Sequence, residues 1–411
     1  MLKVEVDAAL VARYVNELAQ FGAHDQTGVW RLVYSPEWVA AQDCVAGWCE
    51  EAGLRVRRDA VGNVWGRLEG NAGGKALVTG SHIDSQAPGG RYDGALGVVA
   101  AVVAVRTLRE RYGVPRHPID VVSLCEEEGS RFPGAGFWGS RAITGRIGPG
   151  DPEQVRDGDG ATMAEAMRSV GLDPAQIETA RREDIEAFLE LHIEQGPLLE
   201  EAGLPVGVVD AITGLRHYAV ELVGRSDHAG ARPMDTRLDA MAGAAEVITG
   251  VIGHARSLGR PAVTTVGTMA VEPNLKAAVP ERVAFTVDVR HPDLKGLSRL
   301  YEHHESLIRS VAGRRGLNAS WKVILDQAPR ASDPELVTLL EEITSELEIG
   351  AMTMHSGGGH DAMRMADVTR SAMIFVRSRD GRSHTPAEFT STEDAVVGIT
   401  VLMAALHRLA Y

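Results

Sequence analysis

Cysteine is scarce in this chain, with three in 411 residues, Cys44, Cys49 and Cys125. An odd number without metal-knuckle spacing excludes a disulfide framework and a cysteine-based zinc site, so the three are expected to be buried thiols. Basic residues are also in deficit: 42 Lys and Arg stand against 56 Asp and Glu, a formal net charge of −14. A nucleic acid or an anionic membrane needs a clustered basic face to displace its counterions, so both are excluded as partners. No apolar run approaches the roughly 20 residues that span a bilayer. Met1 to Gln20 reads as an amphipathic helix rather than a signal peptide, which points to the cytoplasm. There are no repeats or low-complexity tracts. No G-x-S-x-G elbow is present, which removes the serine-hydrolase reading. Gly134 to Gly139 matches G-x-G-x-x-G but lacks the preceding strand and the later acidic residue that dinucleotide binding needs. Gly73-Gly74-Lys75-Ala76 lacks the first glycine and the hydroxyl of a phosphate loop.

What is present is a substantial core: 44% of residues are hydrophobic and 24% charged, in a chain long enough for two domains. Asp7 can cap a first helix, and Ser35-Pro36 opens a second that Gly53 closes. Strands are expected at Asn63 to Leu68, Ala76 to Thr79 and Ile119 to Leu124, with an apolar helix from Ala95 to Leu108 between the last two. From Arg216 to Leu325 the order changes. Strands at His217 to Val223, Val263 to Val271, Arg282 to Val289 and Ala319 to Leu325 combine with helices at Asp235 to Ala255 and Leu294 to Ala312. This β-α-β-β-α-β order is ferredoxin-like. Pro334 to Leu347, Ser371 to Val376 and Glu393 to Leu409 then resume the first pattern. The expectation is a discontinuous α/β domain, residues 1–212 and 328–411, with a ferredoxin-like domain, 213–327, inserted.

Five residues that suit a divalent cation lie far apart, each at a strand end or beside glycines: His82, Asp93, Glu128, His192 and His384. A carboxylate able to reach two cations suggests a pair, and paired metals imply hydrolysis. His82 follows an apolar strand, where α/β sheets place their ligands, and Asp84 falls on the same side to orient its imidazole. Asp93 sits between glycines that permit close backbone approach; the alternative is an Asp-Gly turn that only caps a helix. Glu126-Glu127-Glu128 repel one another unless a cation balances them, the alternative being a solvated acidic turn. On the strand expected over Phe188 to Gly196, alternation puts Glu190, His192 and Glu194 on one face.

Gly80-Ser81-His82-Ile83-Asp84-Ser85, Asp93-Gly94, Glu126 to Phe132, Leu191-His192-Ile193-Glu194-Gln195-Gly196 and Gly358-Gly359-His360-Asp361 together resemble the hydantoinase/carbamoylase amidases of the M20 metallopeptidase superfamily. The resemblance covers almost the whole chain. It implies an M20-type catalytic α/β domain whose ferredoxin-like insert serves as lid and dimerisation surface. It also implies two divalent ions per subunit, Zn2+, Mn2+ or Co2+, with Asp93 bridging them and His82, His192, Glu128 and His384 completing the shells. Glu127 would then be the general base, with Glu126 structural, and His228 would reach into the neighbouring subunit of a homodimer to hold the oxyanion. By its own local sequence His228 is equally an exposed loop histidine beside Asp227.

Arg290 and Asn274 match the family's grip on a substrate carboxylate, and a guanidinium fork suits that task. Alternatively, Arg290 is a strand-end arginine paired with an acidic neighbour. Gln195, Arg216, Gly358 and Gly359 are weaker candidates. Departures from the family pattern at Leu215, Gly358 and Arg377 limit the choice of substrate. Arg377 either meets a second substrate carboxylate or pairs with Asp380. The expected reaction releases the amino acid, ammonia and carbon dioxide from an N-carbamoyl-L-amino acid. Allantoate, ureidoglycolate and N-carbamoyl-β-alanine are alternative substrates, and a catalytically silent binding protein is the alternative of another class.

Overall fold

The structure, a computed structural model, describes residues 5–411. The first four positions of the helix expected over Met1 to Gln20 lie outside the described residues. Within them that helix is shorter, Ala8–Leu18, because the Asp7 carboxylate accepts the Ala9 and Leu10 amide protons and fixes its start. The chain divides into two compact units. Unit 1 comprises the chain up to Asp210 with Ala331–Met354 and Gly358–Tyr411, and unit 2 comprises Ala211–Arg330 with His355–Gly357.

Four parallel strands form the centre of the large sheet in unit 1, in the order Arg370–Val376, Ile185–Ile193, Ala76–His82, Ile119–Leu124. Antiparallel strands flank them: Val206–Ile212 beside Arg370–Val376, and Val64–Leu68 then Arg55–Arg58 beyond Ile119–Leu124. Parallel strands covered on both faces read as continuous apolar runs, and Ala76–His82 and Ile119–Leu124 are buried throughout. The strand from Ala76 runs on to His82, past the expected end at Thr79, because Gly80 and Ser81 pair with Val122 and Ser123. The helix Ala95–Tyr112 is apolar all round over its first three turns and buries every residue from Ala95 to Val105. Each valine so enclosed stabilises by about 1.5–3 kcal/mol. Strands not expected from the sequence are Arg55–Arg58, Val206–Ile212 and Ala351–Ser356, together with the two-residue strands Ala23–His24, Gly28–Val29 and Arg330–Ala331.

Unit 2 is a four-stranded antiparallel sheet in the order Val263–Glu272, Arg282–His291, Gly214–Val223, Asn318–Gln327, with helices Ala240–Leu258 and Leu294–Arg315. That is the ferredoxin-like arrangement. Period-two burial along Arg282–His291 sends Val283, Phe285, Val287 and Val289 into a core shared with Tyr218, Val220, Leu222, Val247 and Ile308. The first helix starts at Ala240 rather than Asp235, since Met234–Thr236 form a separate turn and the Asp239 side chain, accepting from the Ala242 amide, supplies the cap.

All three cysteines are free thiols; Cys49 and Cys125 are buried as expected, while Cys44 is partly exposed. Among the described residues, no helix is long and apolar enough to cross a membrane.

Candidate metal centre

Every central parallel strand delivers a residue at its carboxyl end, the edge at which open α/β sheets bind ligands. His82 ends one strand, Glu126-Glu127-Glu128 follow Leu124, His192 precedes Ile193 at the end of a third, and His384 lies in the loop after Val376. Asp93 comes from the turn that opens the buried helix at Ala95. These five candidate ligands fall into two trios that share Asp93: His82, Asp93 and His192, and Asp93, Glu128 and His384.

The two oxygens of Asp93 face different partners. Oδ1 lies 3.2 Å from His192 Nε2 and 3.7 Å from His82 Nε2, while Oδ2 lies 3.4 Å from His384 Nε2. Glu128 Oε2 is 3.6 Å from the same His384 nitrogen. Gly94 makes the close approach feasible: its φ is +61°, and an added Cβ would lie 2.3 Å from His82 Nε2.

The ring orientations suit ligation. His192 Nδ1 lies 2.9 Å from the Ile193 carbonyl and His82 Nδ1 lies 3.1 Å from the Asp84 carbonyl, so Nδ1 of each has a main-chain acceptor and Nε2 is the atom turned toward Asp93 for ligation. In both cases a main-chain carbonyl orients the ring. This corrects the role expected of the Asp84 carboxylate, whose Oδ1 is 3.8 Å from His82 Nδ1. Asp84 instead accepts the amide protons of Glu127 (3.2 Å) and Glu128 (3.1 Å), one on each oxygen. The side chain that sets the acidic turn is therefore this one.

Electrostatically the cluster is built around positive charge. Burial pushes Glu127 well above the carboxylate range and Glu128 Oε1 is buried without a hydrogen-bond partner; burial and Asp93 raise Glu128 to about 8. Burial alone would raise Asp93, but hydrogen bonds and charge from His192, His384 and His82 outweigh it and hold that carboxylate well below its ordinary range. Burial would lower His192, and the same Asp93 contact overrides it, raising the imidazole to about 9; Asp93 raises His384 to about 9 as well. So many buried carboxylates around three imidazoles, one with an orphaned oxygen, fit divalent cations.

Glu127 stands beside both trios, its Oε2 3.6 Å from His82 Nε2, and belongs to neither. Gln195 donates to Asp93 Oδ2 at 2.8 Å. Gly359 belongs to the same unit, where a Cβ would meet the Phe137 ring at 2.9 Å, and Gly358 is its neighbour. Of the face predicted on the His192 strand, Glu190 accepts from the Ser81 hydroxyl and the Ala362 amide, whereas Glu194 accepts the Leu198 and Leu199 amide protons at the start of a short helix. The protein partner of Arg377 is not Asp380: its guanidinium pairs with Asp394, in the first turn of Thr392–Ala410.

Unit 2 carries His228, Arg290, Asn274 and Arg216. His228 is exposed, and its Nδ1 accepts the Gly230 and Ala231 amide protons, both at 3.1 Å, which leaves Nε2 protonated and pointing outward as a donor. Arg290 pairs with Asp288 (Nε to Oδ1, 2.9 Å) and donates Nη1 to the Gly357 carbonyl. Asn274 occupies the left-handed region with φ 53°, in an exposed turn. Arg216 is held by Asp326 at 2.6 Å and stacks on Tyr301.

Sequence reasoning passed over Glu388 and Ser383, and it gave no role to His360 and Asp361, which it quoted only within a motif. Glu388 and Ser383 contact Asp93, and His360 joins Glu190 and His192 in a third group able to hold an ion. Their signal was proximity in sequence to His384 and to Gly358-Gly359.

Comparison with known proteins gives the family. The model of the peptidase family M20/M25/M40 matches residues 78–408. An allantoate amidohydrolase of Bacillus subtilis (strain 168) is 39% identical over 98% of this chain and 97% of its own. An N-carbamoyl-L-amino acid amidohydrolase of Geobacillus stearothermophilus is 40% identical over 96% of each. The crystal structure of a hydantoinase/carbamoylase family amidase from Burkholderia multivorans superposes with a TM-score of 0.92 at 34% identity, over 100% of this chain and 99% of that one. The chain therefore belongs to the M20 peptidase family, in its hydantoinase/carbamoylase amidase branch, and is a hydrolase of ureido and amide C–N bonds.

Proposed function

We propose that the chain removes the carbamoyl group from an N-carbamoyl-L-amino acid, with two divalent cations held by His82, Asp93, Glu128, His192 and His384. The observation that carries this reading is Asp93, whose two oxygens face two separate ligand pairs while Glu127 stays outside both. Divalent ions there would supply Lewis-acid polarisation of the ureido carbonyl. Glu127 Oε2 takes the proton of the attacking water and returns it to the departing nitrogen. Asp84, gripping the Glu127 amide, keeps that carboxylate aimed. Gln195, donating to Asp93 Oδ2, helps fix that carboxylate.

In unit 2, His228 Nε2–H is the proposed oxyanion donor, completing the site of a second subunit in a homodimer that uses this ferredoxin-like unit as lid and contact surface. Arg290 and Asn274 are the proposed carboxylate grip. Asp288 and the Gly357 carbonyl fix the guanidinium plane while leaving N–H donors free for a second carboxylate. Arg216, committed to Asp326, is the weakest of these candidates.

Allantoate is the second reading, supported by the 39% identity to an allantoate amidohydrolase. Ammonia release from N-carbamoyl-L- and D-amino acids, allantoate, ureidoglycolate, N-carbamoyl-β-alanine and N-acyl amino acids, with Mn2+, Zn2+ or Co2+ added, tests both. Preference for allantoate would replace the first reading, and cleavage of acyl substrates alone would sink both.

A further inference from the structure

One buried carboxylate at this centre is used neither as a ligand nor for proton transfer. Glu388 lies in the loop after Arg370–Val376, beyond His384, and is 3% exposed. Its Oε1 accepts the amide protons of Tyr92 at 2.8 Å and Asp93 at 2.9 Å. Its Oε2 lies 2.8 Å from the Ser383 hydroxyl, which is 2.7 Å from Asp93 Oδ2. One side chain thus holds the Asp93 backbone directly and shares Ser383 with Asp93 Oδ2.

Two further details show that this contact is built. Gly90 admits the carboxylate: a Cβ there would lie 2.2 Å from Glu388 Oε1. The turn that carries His384, whose φ is +56°, is closed by the Glu388 amide donating to the Thr385 carbonyl at 3.1 Å. Glu388 therefore ties together two loops that are remote in sequence, each of which contributes one member of the Asp93, Glu128, His384 trio.

We propose that Glu388 is a positioning residue for the second cation: it presets Asp93 Oδ2 and His384 as one half-site. The inference rests on the two-cation reading above. The trio of His82, Asp93 and His192 does not need it, because His192 engages Oδ1 directly and both histidines are oriented by carbonyls of their own. Without Glu388, the Tyr92 and Asp93 amides lose their shared acceptor and Ser383 loses a partner, so the Asp93 loop is no longer tied to the loop of His384.

The test is Co2+ uptake by the metal-free full chain, read by visible absorption and by equilibrium dialysis. Wild type should take up two equivalents. Glu388→Ala, with unchanged circular dichroism, should keep the first and bind the second roughly 10- to 100-fold more weakly, as for other groups that orient ligands. Glu388→Gln should retain both, since its amide oxygen still accepts from Tyr92 and Asp93 and its amide nitrogen can donate to Ser383. Gly90→Ala reaches the same defect by displacing the carboxylate, and decides the matter should Glu388→Ala not fold. Two equivalents at wild-type affinity in the alanine variant, or in Gly90→Ala where that one does not fold, would overturn the proposal. So would loss of the second ion in Glu388→Gln as severe as in Glu388→Ala, because charge rather than position would then be the cause. Fewer than two equivalents on wild type would sink the two-cation reading itself.

Discussion

Glu127 and Glu128 are adjacent, yet their environments assign them different work. Glu128 faces His384 and Glu127 faces His82, and the amides of both are pinned by Asp84. Removing the charge at Glu127 should therefore stop proton transfer without emptying the site. For Glu127→Gln, turnover is expected to fall by about 10² to 10⁴, the usual contribution of a general base, with metal content by elemental analysis unchanged. Turnover close to wild type would refute the assignment. Arg290→Ala should act on binding, raising KM more than it lowers kcat in saturation kinetics. An unchanged KM would mean that Arg290 serves only Asp288 and the Gly357 carbonyl.

At the scale of elements, the second helix of unit 2 carries a buried titratable group. His304 is fully enclosed, with Nδ1 2.9 Å from the Tyr218 hydroxyl, and faces the rings of Tyr218, His303 and His254. Burial, aided by the charges of His303 and His254, lowers its pKa to about 3. A histidine with a folded pKa below its unfolded value of about 6.5 favours folding while neutral. Its contribution is complete above pH ~6.5 and is lost as pH falls from there toward 3, by about 1.4 kcal/mol per pH unit. Amide exchange along Gly214–Val223 should accelerate between pH 6.5 and 4.5 beyond its intrinsic pH dependence. His304→Gln, which keeps a partner for Tyr218 without the titration, should flatten that response. An equal response in the variant would place the acid sensitivity elsewhere.

At the scale of the whole molecule, the acidic cluster makes stability depend on cations. Ions that bind only the folded chain stabilise it by mass action, about 2.7 kcal/mol per site at 100 times Kd, so a chelator should lower Tm and Mn2+ should restore it. A Tm unmoved by chelation would contradict the proposed centre. The proposed dimer yields a complementation experiment. His228→Ala and Glu127→Gln subunits, each inactive alone, should regain activity when dissociated and reassembled together. A mixed dimer pairs one intact Glu127 with the other subunit's His228, and statistical mixing gives roughly a quarter of wild-type activity. No recovery would remove the shared site.

The family, its hydrolytic chemistry and the order of the main elements are legible in the residues alone. Ligand types at the ends of apolar runs, with glycines beside Asp93, exposed the centre because parallel strands need continuous hydrophobic stretches and close approach needs glycine. The alternation of Arg282–His291 made the ferredoxin-like unit legible for a similar local reason. Val206–Ile212 and Ala351–Ser356 escaped notice because their identity as strands comes from pairing with residues distant in the chain. Contacts between remote segments were left to the tertiary structure. It turned Asp84 from His82 to the acidic turn, committed Arg377 to Asp394, and brought Glu388 onto the Asp93 backbone. A side chain's type and local spacing are written in the sequence, whereas its partner is chosen by packing, which only the folded chain specifies.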